Sequence, residues 1–256
     1  MEIGIGLPNV ILGTEGRAIV DWARRSEDAG FSSLGTIDRL VYPNYEPLVA
    51  LAAAGAATER IGLLTSILIA PLRPTALLAK QAVSVDNISG GRLTLGVAVG
   101  GREDDYAEGG VDFHARGQIF ERQLEELGRL FSGEERGTGH AVVPEPVREG
   151  GPELVLGGSA DQAFERAARY GSGWIAGGGG PEAFAGALPK LESAWSAAGR
   201  DDKPRKLSLA YYSLGDDAEE QARRSLGHYY AFLGEYAEMI AQGAAKTPDD
   251  VKRMAA

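Results

Sequence analysis

Apolar and polar positions along this chain alternate between two periods, short strand-like runs and longer stretches of helical spacing, in a regular succession. Glu2 to Leu7 alternates as a first strand, and Pro8-Asn9 breaks it. Ile19, Trp22, Ala23 and Ala29 then fall at helical spacing up to Gly30, a residue suited to the left-handed conformation after a helix. Ser33 to Ile37 is a second strand, with Asp38-Arg39 at its C-terminal end. Glu46-Pro47 opens an Ala-rich helix that reaches Thr58. Ile61 to Ala70 is nearly continuous in apolar residues, the pattern of a parallel strand buried on both faces. Leu77, Leu78, Ala82, Val85 and Ile88 mark the inner face of the next helix, which stops at Gly90-Gly91. Leu93 to Val99 is a fourth strand, and Gly100-Gly101 opens it into a polar loop, Arg102 to Tyr106.

The second half repeats the theme. Arg116 to Phe131 reads as a charged amphipathic helix with Phe120, Leu124, Leu127 and Phe131 inward. Residues 133–151 have no period and are rich in Gly, Pro and Glu, which leaves two alternatives, a lid or an insertion. Leu154 to Leu156 is a fifth strand, and Gly157-Gly158-Ser159 turns into a helix for which Ser159 is a suitable N-cap. Gly173 to Ala176 is a sixth strand followed by four glycines, and Lys206 to Tyr212 is a seventh. A helix from about Asp217 to Ala241, interrupted near Gly227, and a short one capped by Thr247-Pro248-Asp249 complete the pattern, which ends without a stop signal at Met254-Ala255-Ala256. Strands alternating with helices predict an α/β fold with a parallel sheet, a (β/α)8 barrel over residues 1–256 as one domain. Only seven strands are visible, so the eighth is expected either beyond the given sequence or to be missing from a shortened barrel.

Composition narrows the chemistry. The 26 Lys and Arg against 36 Asp and Glu give a net charge of -10, which disfavours nucleic acid as a partner. There is no cysteine, so disulfides, thiolate nucleophiles and thiolate-bound metals are excluded. The three histidines, His114, His140 and His228, lack any metal-ligand spacing, and no zinc site is expected. No apolar run reaches membrane length and no signal-peptide pattern opens the chain, so the reading is a cytoplasmic protein that needs no membrane. No G-x-G-x-x-G fingerprint for a nicotinamide dinucleotide is present.

Three pieces in order, Arg73-Pro74-Thr75-Ala76-Leu77-Leu78-Ala79-Lys80, Ser89 to Tyr106, and Gly157-Gly158-Ser159-Ala160, give a chain that resembles the luciferase-like flavin- or deazaflavin-dependent oxidoreductases. The resemblance is strongest from Met1 to about Gly180. It implies a monooxygenase that takes reduced FMN and O2 to a small organic substrate, with the flavin reduced by a separate reductase and two copies paired as a homodimer. Two alternatives stay open: hydride transfer with F420 on the same barrel, and a non-catalytic flavin-binding barrel.

The candidate site residues follow. Gly157, Gly158, Ser159 and Ala160 join a strand to a helix N-terminus, where backbone N–H groups and the helix dipole favour an anion, or where a serine simply caps a tight turn. The resemblance places the cofactor phosphate there, with Arg116 reaching it. It also places a non-proline cis peptide at Ser66-Ile67, beneath the ring. Gly100 lets a flat ring approach, with Asp104 touching it; Trp174, Gly177 and Gly178 are expected on the ring's other side, although Trp174 also suits the core. Asp38, Arg39 and Tyr211 are the candidate catalytic residues. Asp38 has a bland alternative, a cap or an ion pair with Arg39. Arg39 stands where F420-dependent relatives carry a proton-donating histidine, and a guanidinium that stays protonated is a poor substitute. Tyr211 is placed to donate a hydrogen bond to substrate.

Overall fold

The computed structural model describes residues 1–137 and 139–254. The elements in chain order are β1 (Ile5–Gly6), α1 (Gly16–Asp28), β2 (Ser33–Thr36), α2 (Pro47–Ala57), β3 (Gly62–Thr65), β4 (Leu68–Ile69), α3 (Thr75–Ile88), β5 (Leu93–Ala98), α4 (Glu103–Glu108) and α5 (Arg116–Phe131). They continue with β6 (Glu135–Arg136), β7 (His140–Ala141), β8 (Glu153–Gly157), α6 (Asp161–Tyr170), β9 (Gly173–Ala176), α7 (Gly180–Ala197), β10 (Arg205–Ser208), α8 (Ala218–Tyr229), α9 (Glu235–Gln242) and α10 (Pro248–Met254).

One parallel sheet runs β1-β2-β3-β5-β8-β9-β10, with β4 continuing the line of β3 as a second partner of β5. Each connection crosses over through at least one helix, as parallel pairing requires. Among the described residues no strand closes the sheet between β10 and β1, so the fold is a curled α/β half-barrel lacking a closing strand. The curl is tight enough for Arg205 at the start of β10 to come within 4.0 Å of Glu2, just before β1. Arg205 also pairs with Glu153, and Thr94 donates to the same carboxylate. These polar groups fill the floor of the half-barrel.

The outer face of the sheet carries the apolar core. Leu93, Leu95 and Val97 of β5 are fully buried, as are Leu78, Ala79, Ala82 and Val83 of α3 behind them. Helix α2 is anchored at its start by the Glu46 carboxylate, which accepts from the Val49 N–H at 2.8 Å. At its end Arg92 donates to the backbone oxygens of Gly55 and the capping Thr58, and also to that of Ile61 just before β3. An arginine placed so satisfies several orphan carbonyls of a helix end at once.

Three expectations about elements need correction, and a fourth falls outside the described residues. The loop expected from Arg102 to Tyr106 is the start of α4, whose first turn holds Glu103, Asp104 and Asp105, a composition the helix dipole favours. The break in the helix after the seventh strand falls at Tyr230–Gly234, not at Gly227, because Gly234 has φ +58 and ψ -127, a conformation that suits glycine. The end of the last helix at Ala255 and Ala256 lies outside the described residues. Residues 133–151 contain a small antiparallel hairpin, β6 with β7, and bind the end of the sheet opposite the strand C-termini. There Arg148 donates to the Leu93 carbonyl at 2.9 Å, and Asn87 donates to the Glu145 carbonyl at 2.9 Å. That placement covers the floor of the barrel, so the segment is no lid over its mouth.

Candidate active site at the mouth of the half-barrel

The C-terminal ends of the strands gather the candidate residues. Asn9, after β1, is buried and holds the backbone of Ile37 from both sides, donating to its carbonyl at 2.8 Å and accepting from its N–H at 3.3 Å. The end of β2 is thereby fixed before Asp38 and Arg39 leave it.

Asp38 does not pair with Arg39. Its carboxylate takes both ends of the Arg73 guanidinium, at 2.7 and 3.0 Å, and accepts the Ile69 N–H at 2.8 Å. Arg73 in turn bonds Glu46 at 3.0 Å. Burial works against the Arg73 charge, but the hydrogen bond and charge of Asp38, followed by Glu46, hold its guanidinium above its ordinary value. Asp38 is therefore an anchor, tying the mouth end of β2 to the β4 backbone. A carboxylate with both oxygens engaged in this way is poorly placed to move a proton.

Arg39 is equally engaged. Its Nε donates to Asp105 at 2.7 Å, and its Nη2 donates to Asp104 at 2.9 Å and to the Val41 carbonyl at 3.1 Å. Asp105 is fully buried and also accepts the N–H groups of Leu40 and Val41, at 3.0 and 2.6 Å. Asp104, expected against the ring, thus serves mainly to clamp Arg39. The sequence showed the three acids of α4 but not that their partner lies 65 residues earlier.

Between β3 and β4 the chain breaks at Ser66-Ile67, and that peptide is cis. Ser66 bonds the Thr36 carbonyl through its backbone N–H at 2.7 Å and its hydroxyl at 3.1 Å. Ile67 points across the interior to β8: a Cβ built on Gly157 would lie 1.9 Å from Ile67 Cδ1. Gly157 thus leaves the room that Ile67 occupies. Gly100 has φ +68, and a Cβ there would meet Ile69 at 2.9 Å, so glycine is required on both counts. Gly101 and Gly177, by contrast, face open space, with nothing within 4 Å of an added Cβ.

The turn after β8 is held from behind. Trp174 is buried between Phe164 of α6 and Phe184 of α7, with ring centroids at 5.2 and 5.9 Å, so it belongs to the sheet–helix core rather than to the ring-facing wall. Its indole N–H donates to the Gly158 carbonyl at 2.8 Å. Gly158 has φ +127. Helix α6 begins at Asp161 with Ala160 in the N-cap position, and the Ser159 side chain makes no cap hydrogen bond, contrary to expectation. Asp161 binds Lys190 at 2.9 Å, which brings a cation to the same helix start. Arg116 bonds the Phe113 carbonyl at 2.6 Å and lies 3.7 Å over the Phe113 ring, where it is held by its own loop.

Tyr211 lies against Gly178, a Cβ on which would be 2.6 Å from the tyrosine ring, and its hydroxyl pairs with that of Tyr230. Burial, then the neighbouring Tyr230, pushes the Tyr211 phenol well above its ordinary value, so it is a neutral hydroxyl. The 228–233 segment, which sequence reasoning passed over, crosses the mouth here. His228 bonds the Tyr42 hydroxyl at 3.0 Å, and Arg102 donates to the Tyr229 carbonyl at 2.5 Å while lying 3.6 Å over the Phe232 ring. The Tyr-Tyr dipeptide within a helix end was the available signal.

This arrangement, a glycine-lined half-barrel whose strand ends carry a cis peptide and a strand-turn-helix, is matched over residues 1–256 by the family model described as luciferase-like monooxygenase. The chain belongs to that family and is an oxidoreductase of this flavin- or deazaflavin-dependent class. An uncharacterised protein of Mycobacterium tuberculosis is 31% identical over 208 residues, covering 70% of this chain and 71% of the relative. The monooxygenase RslO1 from Streptomyces bottropensis superposes with a TM-score of 0.81 at 23% identity, over 100% of this chain and 87% of that one. An F420-dependent secondary alcohol dehydrogenase superposes with a TM-score of 0.74 at 18% identity, over 98% and 84%. Among the described residues no helix is long and apolar enough to cross a membrane, and no group of three or more potential ligands gathers to hold a metal.

Proposed function

We propose that this protein is an FMN-dependent monooxygenase acting on a small organic substrate, with O2 as co-substrate and a separate reductase as the source of reduced flavin. The observation that carries the reading is the state of Arg39. A hydride-transfer site on this fold would call for a proton donor at the end of β2. Here that position holds a guanidinium locked between Asp104 and Asp105, a poor stand-in for a proton donor. Oxygen chemistry makes no such demand on that position.

The residues fit a flavin. Gly101 and Gly177 leave open space at the strand ends, and the turn at Gly157, Gly158, Ser159 and Ala160 brings backbone N–H groups to the start of α6, beside the Lys190–Asp161 pair. We assign the phosphate to that turn and the ring to the space bordered by Ser66, Ile67, Gly100 and Gly177. Reduced flavin, when bound, supplies the electrons that activate O2. The chain's own part is to hold the ring, to keep water from the mouth with Tyr211, Tyr230 and the 228–233 segment, and to present the substrate. Trp174 acts behind the turn by holding the Gly158 carbonyl. Asp38, Arg39 and Asp104 act as a frame for the mouth rather than as groups that exchange protons, whereas the Tyr211 hydroxyl remains a donor to substrate. We place the protein in the cytoplasm and expect it to pair with a second copy.

Oxygen uptake tests the reading. With photoreduced FMN, the protein consumes O2 faster than the free flavin, or stores the oxidising equivalent long enough to alter the decay. A decay identical to that of free reduced FMN at saturating protein would refute it. The F420 alternative predicts no oxygen dependence and transfer of hydride to or from F420 instead.

A further inference from the structure

Arg102 differs from the other two arginines at the mouth. Arg39 and Arg73 are both neutralised by carboxylates, whereas Arg102 has no carboxylate within ion-pair distance among the described residues. Of the three acids that follow it, Asp104 and Asp105 are both taken by Arg39, and Glu103 is exposed and makes no ion pair with Arg102 among the described residues. Arg102 Nη2 donates to the Tyr229 carbonyl at 2.5 Å, and the other guanidinium nitrogens make no hydrogen bond among the described residues. Its flat face is covered by Phe232 at 3.6 Å, with Tyr229 at 4.9 Å and Tyr230 at 5.8 Å. Burial and then the like charge of Arg39 disfavour its protonated state and outweigh the weaker support from Tyr229, Asp104 and Asp105, none of which gives it a contacting carboxylate.

The arc around it spans the opening. Arg102 follows β5; Tyr230, whose ring centroid is 5.8 Å away, is hydrogen-bonded through its hydroxyl to that of Tyr211; and Tyr211 follows β10 and lies on Gly178 after β9. This side of the rim is a wall of aromatic rings that carries one cation with no contacting carboxylate and a pair of phenol hydroxyls. Rings of this kind pack on planar apolar skeletons, and a guanidinium with a free edge binds a carboxylate or a similar oxyanion through two parallel bonds.

We infer that the substrate of this site is a planar, aromatic or conjugated compound bearing an anionic oxygen, and that Arg102 is the specificity-determining residue that binds that oxygen. The inference rests on the oxygenase reading for what then happens to the compound, but the recognition itself does not require flavin. Tyr230 and Tyr211 supply the packing surface, and the Arg102 edge supplies the choice of anion over neutral analogue.

The test compares 2-naphthoate with 2-naphthamide, equal in shape and differing in charge, by their fluorescence on titration with the whole protein. Wild type is expected to bind the acid at least about ten-fold more tightly than the amide, R102Q to bind the two alike, and R102K to keep part of the preference. Equal binding of acid and amide to wild type, or an undiminished preference in R102Q, would overturn the assignment. FMN titrated in parallel separates the two claims. Unchanged FMN affinity in R102Q is expected, and its loss would place Arg102 in the flavin site and overturn the substrate role. Failure of wild type to bind FMN at all would sink the oxygenase reading and leave the acid-to-amide comparison as its own result.

Discussion

Asp105 is the most deeply buried acid at the mouth, and its neutralisation has a calculable consequence. The side chain is fully buried and accepts from Arg39 Nε at 2.7 Å, Leu40 N at 3.0 Å and Val41 N at 2.6 Å. In Asp105→Asn the amide nitrogen must face one of these three donors, and the Arg39 guanidinium, 3% exposed, loses its buried counter-charge. Breaking one side of a buried pair costs about 3–5 kcal/mol. With a urea slope of about 3 kcal/mol per molar, the upper end of the usual range and suited to a chain of 256 residues, the midpoint falls by roughly 1–1.7 M. Asp104→Asn is the control. Its carboxylate touches the same arginine but is half exposed, so the loss is at most about 1 kcal/mol, a shift of about 0.3 M. Urea unfolding followed by far-UV circular dichroism and by tryptophan fluorescence measures both, and coincidence of the two probes licenses the two-state treatment. Equal midpoints for the two variants would refute the idea that burial at Asp105, rather than the presence of an acid near Arg39, supports the mouth.

Three further outcomes are expected. Gly96→Ala places a Cβ 2.0 Å from the Thr65 carbonyl oxygen, a backbone atom, and is expected to destabilise by about 3 kcal/mol or more in urea, whereas Gly101→Ala, facing open space, is expected to leave stability within about 0.5 kcal/mol while weakening FMN binding; equal stability losses would contradict the contrast. Ser159→Asp is expected to abolish FMN binding by charge repulsion with unchanged circular dichroism, and unaltered affinity would remove the turn as the phosphate site. Burial pushes the Glu27 carboxyl upward, but the N–H groups of Ile61, Arg60 and Glu59 and then the Arg60 charge outweigh it, leaving the pKa at about 2 instead of 4.5. That depression stabilises the folded state above about pH 4.5 and is lost as pH falls towards 2, so Glu27→Gln is expected to flatten the pH dependence of the urea midpoint over that window, and parallel curves would count against it.

The sequence was most legible where one structural demand acted alone. All seven predicted strands form, although β10 ends at Ser208 and Tyr212 makes only an isolated bridge to Ala245, and Arg116 to Phe131 is helical over its whole predicted length, because burial on one side of a helix leaves a clear period. Trp174 was ambiguous for the opposite reason. Strand β9 is buried on both faces, so alternation could not tell which side the indole takes, and only its packing on Phe164 and Phe184 decides. Pairings between distant segments were invisible. Asp38 chose Arg73, 35 residues on, over the adjacent Arg39, since adjacent side chains leaving a strand end diverge. The same holds for Arg39 with Asp105 and for Tyr211 with Tyr230. The floor position of 133–151 likewise depends on Arg148 finding the Leu93 carbonyl, a contact that no local pattern encodes.

The account stands on flavin binding at the mouth, and the most direct measurement is an anaerobic titration with reduced FMN and, separately, with reduced F420, followed by tryptophan emission. Trp174 is the reporter, because its indole N–H is bonded to the Gly158 carbonyl of the assigned phosphate turn. The account predicts saturable quenching by reduced FMN, its loss in Ser159→Asp, and much weaker binding of F420. Quenching by F420 alone would transfer the protein to hydride chemistry, and quenching by neither would contradict the assignment of a flavin site to this half-barrel.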